Sequence, residues 1–185
     1  SNPNYDTRKP TREEINKLKL MLIFQMTYVG APYVYYGDEV GMWGANDPCP
    51  RKPMLWNDLN KKNKKVNPDQ SLKPKEDKNE VDSNLFEFYK KIIKIRNDNK
   101  VLSIGNFKTL LADDEKSIYA FAREYESTQI IVIINKGKEA TSISLDVDHN
   151  EYYTDILNQN EMILSEGKKI ECKIAPLNGR ILIKD

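Results

Sequence analysis

The sequence predicts an α/β plus all-β fold: a helix–strand–helix segment followed by a domain of short antiparallel strands. Three observations carry this reading. Apolar side chains recur at helical spacing over residues 12–29 and end at a Gly-Ala-Pro turn. That turn opens into Tyr33-Val34-Tyr35-Tyr36, a short apolar and aromatic run of the kind that makes a strand buried on both faces. From Ile104 onward, short alternating runs separated by turn clusters replace the helical period.

Taken in order, residues 1–10 are polar, contain two prolines and read as a lead-in loop. Thr11-Arg12-Glu13-Glu14 has the spacing of a capping box, in which the threonine and glutamate side chains bond each other's main-chain amides. Ile15, Leu18, Met21, Leu22, Met26 and Val29 then define an amphipathic helix, and Leu20, Ile23 and Phe24 widen its stripe. Gly30 is placed to stop it. Polarity changes abruptly at Gly37-Asp38-Glu39, and a loop rich in Gly, Pro, Trp, Asp and Arg follows. Polar groups at the carboxyl end of a buried strand are where α/β folds bind ligands. One helix–strand unit cannot bury its own faces, so this segment calls for partners.

Residues 57–82 form a polar insertion with lysines at 61, 62, 64, 65, 73, 75 and 78. Acidic residues are mixed in and no aromatics interleave, so it reads as a solvated loop rather than a phosphate or nucleic-acid site. Ser83 or Asn84 caps the next helix, whose apolar face is Leu85, Phe88, Tyr89, Ile92 and Ile95. Its basic residues Lys90, Lys91, Lys94 and Arg96 lie toward the negative end, and Asn97-Asp98-Asn99 stops it. Strands are expected at 105–111, 117–124, 129–134, 140–147, 151–157, 169–174 and 179–184, with Ile130–Ile134 central. Seven short strands at this spacing make a sandwich.

The chain has 185 residues, enough for one or two small domains with a core. Its 29 Lys and Arg against 28 Asp and Glu argue against a nucleic-acid partner. No apolar run reaches membrane-spanning length, and no signal peptide opens the sequence. Ser1-Asn2 has the look of a vector remnant, and the compartment, cytoplasm or periplasm, stays open. Cys49 and Cys172 lie far apart, which makes a disulfide framework unlooked for. A single histidine, His149, falls in a turn between strands and leaves neither a histidine zinc site nor a Ser-His-Asp triad to expect. No cofactor is called for.

Gly30-Ala-Pro-Tyr-Val-Tyr-Tyr-Gly-Asp-Glu-Val-Gly-Met42, followed by Asp47-Pro-x-x-Arg51-Lys-Pro-Met-x-Trp56, resembles the eighth barrel strand and following loop of the α-amylase superfamily (family 13) of glycoside hydrolases. The Asp47–Met54 portion is most similar to its cyclomaltodextrinase and neopullulanase branch. Phe88–Arg96, with Gly105-Asn106-Phe107 after it, resembles the last barrel helix and the linker to the family's C-terminal domain. The resemblance implies that residues 1–100 are the last part of a catalytic (β/α)8 TIM barrel (helix 7, strand 8, loop, helix 8). Residues 101–185 would then be the C-terminal antiparallel β-sandwich. It implies a parent enzyme that hydrolyses α-glucosidic bonds of starch-derived oligosaccharides with retention.

Retention requires two carboxyl groups about 5–5.5 Å apart across the sugar ring. In the resembled family the nucleophile Asp, the acid/base Glu and the stabilising Asp precede the eighth strand, so this chain is expected to lack them and to be inactive alone. Asp38 and Glu39 are neighbours that a strand would point to opposite faces, which makes them support beneath a cleft rather than a catalytic pair. The resemblance places Asp47 and Arg51 beside the glucan. Their charge-assisted bonds suit sugar hydroxyls, although an internal Asp–Arg pair shaping the loop is equally open. Trp43 is the candidate stacking platform and Tyr36 the strand residue nearest the cleft, while Trp56 and Tyr153 are expected to pack. Tyr152 and Tyr153 together are read as edge-strand packing, with a starch-binding platform as the alternative. An unpaired barrel piece is expected to self-associate or to pack its helices on the sandwich. A sandwich that serves as a non-enzymatic carbohydrate-binding or structural module is the competing reading. The amylolytic reading requires Tyr33–Tyr36 to lie inside the molecule.

Overall fold

The computed structural model describes residues 8–44, 51, 53–56, 58, 64–66, 72–78 and 80–184, with the backbone alone at 64–66 and 72–77. The chain divides into two compact units: Ser1–Ile15 with Tyr33–Tyr89, and Asn16–Pro32 with Lys90–Asp185.

In the first unit the capping box forms as the sequence predicts. Thr11 Oγ1 accepts from the Glu14 amide at 3.3 Å, and Glu14 Oε2 accepts from the Thr11 amide at 2.7 Å. Arg8 grips the same carboxylate through two nitrogens at 2.7 and 2.6 Å. Helix α1, Arg12–Thr27, starts there. The predicted strand at Tyr33–Tyr36 does not form. Residues 31–35 have no regular structure, and a single 3₁₀ turn, Asp38–Val40, follows them. A strand exists only as one member of a ladder, and among the described residues no segment of this unit pairs with Tyr33–Tyr36. The lysine-rich insertion, expected to be a loop, contains an antiparallel hairpin of β1, Lys64–Val66, and β2, Leu72–Asp77. Helix α2, Ser83–Asp98, is capped by Asp82, one residue earlier than expected. Asp82 Oδ1 accepts from the Leu85 amide at 2.9 Å.

The second unit is the sandwich together with helical segments. A short helix, α3, Lys100–Ile104, precedes it where sequence periodicity had ended. Eight strands follow: β3 Asn106–Asp113, β4 Ile118–Tyr125, β5 Thr128–Asn135, β6 Thr141–Asp146, β7 Tyr152–Asp155, β8 Glu161–Leu164, β9 Lys169–Ile174 and β10 Asn178–Lys184. Seven match the sequence reading within a few residues. The eighth, β8, is only four residues long and was missed. Six form one antiparallel sheet in the order β3-β4-β5-β10-β7-β8, and β6 pairs with β9 in a second.

Strand β5 occupies the centre of the larger sheet, as its continuous apolar run predicts, because such a run has to be covered on both faces. Ile131 and Ile133 join Ile118, Ala120, Ala122 and Leu182 in a core completed by Ile143, Leu145, Ile170 and Ile174 of the smaller sheet. On the opposite face α1 approaches closely. A Cβ placed on Gly179 of β10 would stand 3.1 Å from Ile23 Cδ1 and 2.9 Å from the Ile133 carbonyl oxygen. Phe24 of α1 and Tyr28 just after it meet Phe107 and Phe121 in a ring cluster with centroids 4.5–6.1 Å apart.

Two members of the predicted α1 stripe miss the core: Met21 is 67 % exposed, and Val29 is exposed as well. Tyr152 sits not on an edge strand but on β7, which is paired on both sides, and its ring is exposed. Tyr153, pointing the other way, is buried as expected and donates to Gln129 Oε1 at 3.3 Å.

Candidate functional site

The site is built along residues 33–56 of the first unit. Tyr33 is 73 % exposed, and Val34, Tyr35 and Tyr36 are also exposed, so the run read as barrel interior is a surface in this chain. Tyr35 and Tyr36 tilt against each other at 44° with centroids 4.9 Å apart. The Tyr35 phenol is raised above its ordinary value, first by loss of water and then by Tyr36 and Tyr33, while the positive charge of Arg51 draws it down. Arg51 is itself exposed. Asp47 and Cys49 lie outside the described residues.

The chain then turns sharply. Gly37 (φ 92°) and Gly41 (φ 70°) adopt left-handed conformations that bracket Asp38-Glu39-Val40. The Met42 amide returns to the Gly37 carbonyl at 2.9 Å. The position of Gly41 is crowded as well as left-handed, since a Cβ there would meet Asp82 Cβ at 3.1 Å. Glu39 is turned back on its own backbone, Oε2 accepting from the Gly37 amide at 2.8 Å. Asp38 is half-buried, and burial followed by the Glu39 charge pushes its carboxyl above the usual range. Tyr89 of α2 is buried, and burial, Asp38 and Glu39 together raise its phenol beyond the ordinary tyrosine range. The pair thus acts on the α2 packing face. Support beneath the loop is what this geometry permits, although the two residues sit on a 3₁₀ turn and not at a strand end. Among the described residues, no group of three or more His, Cys, Asp and Glu side chains could hold a metal ion.

The two tryptophans exchange places relative to expectation. Trp43, the candidate platform, is only 8 % exposed, and Lys9 Nζ lies 5.4 Å from its ring centroid. Lys9 also reaches Glu80 at 3.7 Å. Trp56, expected to pack, is 56 % exposed. Sequence reasoning therefore missed Tyr33, Tyr35 and Trp56 as available aromatics. The signal that could have found them was the absence of any second strand-like run in the first hundred residues to cover Tyr33–Tyr36. His149 lies in the turn after β6, exposed as anticipated.

Comparison with known proteins decides the family. The model of the α-amylase catalytic domain matches residues 5–105, and that of the maltogenic amylase C-terminal domain matches residues 107–181. The chain belongs to the α-amylase family. It is 33 % identical over 168 residues to neopullulanase 2 of Thermoactinomyces vulgaris, covering 90 % of this chain and 25 % of that protein. It is 40 % identical over 149 residues to a cyclomaltodextrinase of Thermoanaerobacter pseudethanolicus, covering 80 % and 22 %. A solved cyclomaltodextrinase structure superimposes with a TM-score of 0.72 at 26 % identity, over 97 % of this chain and 28 % of the other. The chain thus spans about a quarter of the length of these relatives. The partial barrel followed by a β-sandwich that the sequence predicts is the arrangement found. Tyr33–Tyr36 is exposed rather than interior, and the family rests instead on the two model matches and the relatives.

Proposed function

We propose that this chain is the C-terminal portion of a retaining hydrolase of α-glucosidic bonds in starch-derived oligosaccharides, with residues 1–100 completing its barrel and 101–185 forming the sandwich. The relatives named neopullulanase and cyclomaltodextrinase support this substrate class. The catalytic carboxyl groups lie upstream in this reading, so the chain's own contribution is binding. The observation that carries it is the exposure of Tyr33, Tyr35, Tyr36 and Arg51 along one stretch of the chain. Aromatic faces stack on pyranose rings, and a guanidinium reads paired hydroxyls through fixed parallel donors. Asp47 joins Arg51 in this role, and Trp56 is a second exposed face. Trp43, covered by Lys9, serves the loop from beneath. The uncovered tyrosine run is also the surface through which this chain self-associates.

Arg51→Ala in the parent enzyme tests the reading. Loss of one charge-assisted hydrogen bond raises the KM for maltooligosaccharides about tenfold or more with kcat little changed. An unchanged KM would make Arg51 a structural residue and remove the proposed binding role.

A further inference from the structure

Two buried arginines in the second unit have no carboxylate partner among the described residues, where the acceptors they meet are main-chain carbonyls. Arg96, on α2, donates through Nη1 to the Met26 and Tyr28 carbonyls at 2.6 and 3.4 Å and through Nη2 to Gly30 at 2.6 Å. Arg123, on β4 and wholly without solvent exposure, donates through Nη1 to Thr27 at 2.7 Å and to Leu102 at 2.8 Å. Its Nη2 reaches Gly105 at 2.9 Å, and its Nε reaches Asn106 at 3.3 Å. A helix ends in carbonyls with no intrahelical donor and a partial negative charge, which a cation satisfies. Helix α1 has no basic residue in its own last turn, so both cations come from elsewhere in the chain.

We infer that Arg96 and Arg123 form a lock that caps α1 from α2 and β4, and that through Arg123 the end of α1, helix α3 and the first strands of the sandwich are ordered together. The sandwich is therefore not a self-contained module beginning near residue 101. It is built around the barrel-type segment 16–32, and one guanidinium carries both ends of that dependence. Each arginine has its own footprint. Arg96 reaches the last turn of α1 and the residues just after it, whereas Arg123 bridges the end of α1 to α3 and β3, a link spanning 96 residues of sequence.

Native-state hydrogen exchange on the full chain reads these footprints separately. Useful reporters are the Tyr28 amide, bonded to the Phe24 carbonyl at 2.8 Å, and the Gly105 amide, bonded to Val101 at 2.9 Å. In Arg96→Met, exchange at Tyr28 rises about ten- to a hundredfold while Gly105 is unchanged, since each buried carbonyl left without a donor weakens its surroundings by that order. In Arg123→Met both amides speed up together, and those of the β6–β9 pair do not. Arg123→Lys, which keeps the charge but loses the fork, gives a smaller rise at the same two amides and provides the reading if the methionine variant does not fold. A uniform rise that includes β6–β9 would overturn the lock in favour of general loss of packing. So would an Arg123→Lys chain with wild-type protection at both reporters, or an Arg123→Met chain in which Tyr28 stays protected.

Discussion

Tyr33–Tyr36 and Ile130–Ile134 carry the same kind of signal, a short unbroken apolar run between turns, and they meet opposite fates. The second becomes the central strand β5, with β4 on one side and β10 on the other. The first stays irregular and exposed. The difference lies not in the runs but in what the rest of the chain supplies. One antiparallel neighbour of β5, β4, lies across a tight turn, and the other, β10, is brought back by the end of the same domain, whereas a parallel barrel strand needs neighbours delivered by long crossovers. An apolar run is thus a request for coverage on two faces and pairing on two edges. Only in the sandwich does this chain grant it.

The sharpest way to break that comparison is to place a charge in each run. Val132→Asp puts an unpaired carboxylate in the middle of β5, where no water reaches, and is expected to cost about 3–5 kcal/mol or to prevent folding. Val34→Asp, on an exposed residue, is expected to stay within about 0.5 kcal/mol. Chemical denaturation of both variants measures the gap, and similar losses would mean that the run is covered after all.

Next in size is Asp155, which is buried and accepts from the Leu157, Asn158 and Ile181 amides, from Asn158 Nδ2 and from Arg180 Nη1. Asp155→Ala leaves those donors without their acceptor and should lower unfolding free energy by about 2–4 kcal/mol in the same assay. The Arg180 contact with Glu161 at 2.6 Å ties this knot to β8, so the short strand should loosen first.

Thr11→Ala tests the only part of the first unit whose bonding the sequence spelled out. Loss of the capping box is expected to cost about 1 kcal/mol. A change below about 0.3 kcal/mol would show that the Arg8 grip on Glu14 suffices to start α1.

The smallest expected effect is a pH dependence. Burial pushes the Cys172 thiol up to about 11 from 9.0. A raised value in the folded state means that the neutral thiol is preferred there. Its contribution is fully present below about pH 9 and is lost as pH rises through about 11, where the unfolded chain already carries the thiolate. Wild type should therefore lose stability between those limits relative to Cys172→Ser, and alkylation of the folded chain should stay slow at neutral pH. Parallel melting curves for the two would refute the assignment.

Much of this protein was written in local sequence. The capping box at Thr11 and Glu14, helix α2, seven of eight sandwich strands and the placement of β5 all follow from spacing, because caps, hairpins and alternation are settled by neighbours. The motif from Gly30 to Trp56 pointed to the family that the model match over residues 5–105 shows. What the tertiary structure alone decided is which side chains meet water and which cations meet carbonyls. Trp43 is buried and Trp56 is not, Asp82 takes the cap from Ser83, and Arg96 and Arg123 leave the surface to close α1. Residues distant in sequence set each of these outcomes, and desolvation and pairing depend on what arrives in space, which no local window contains.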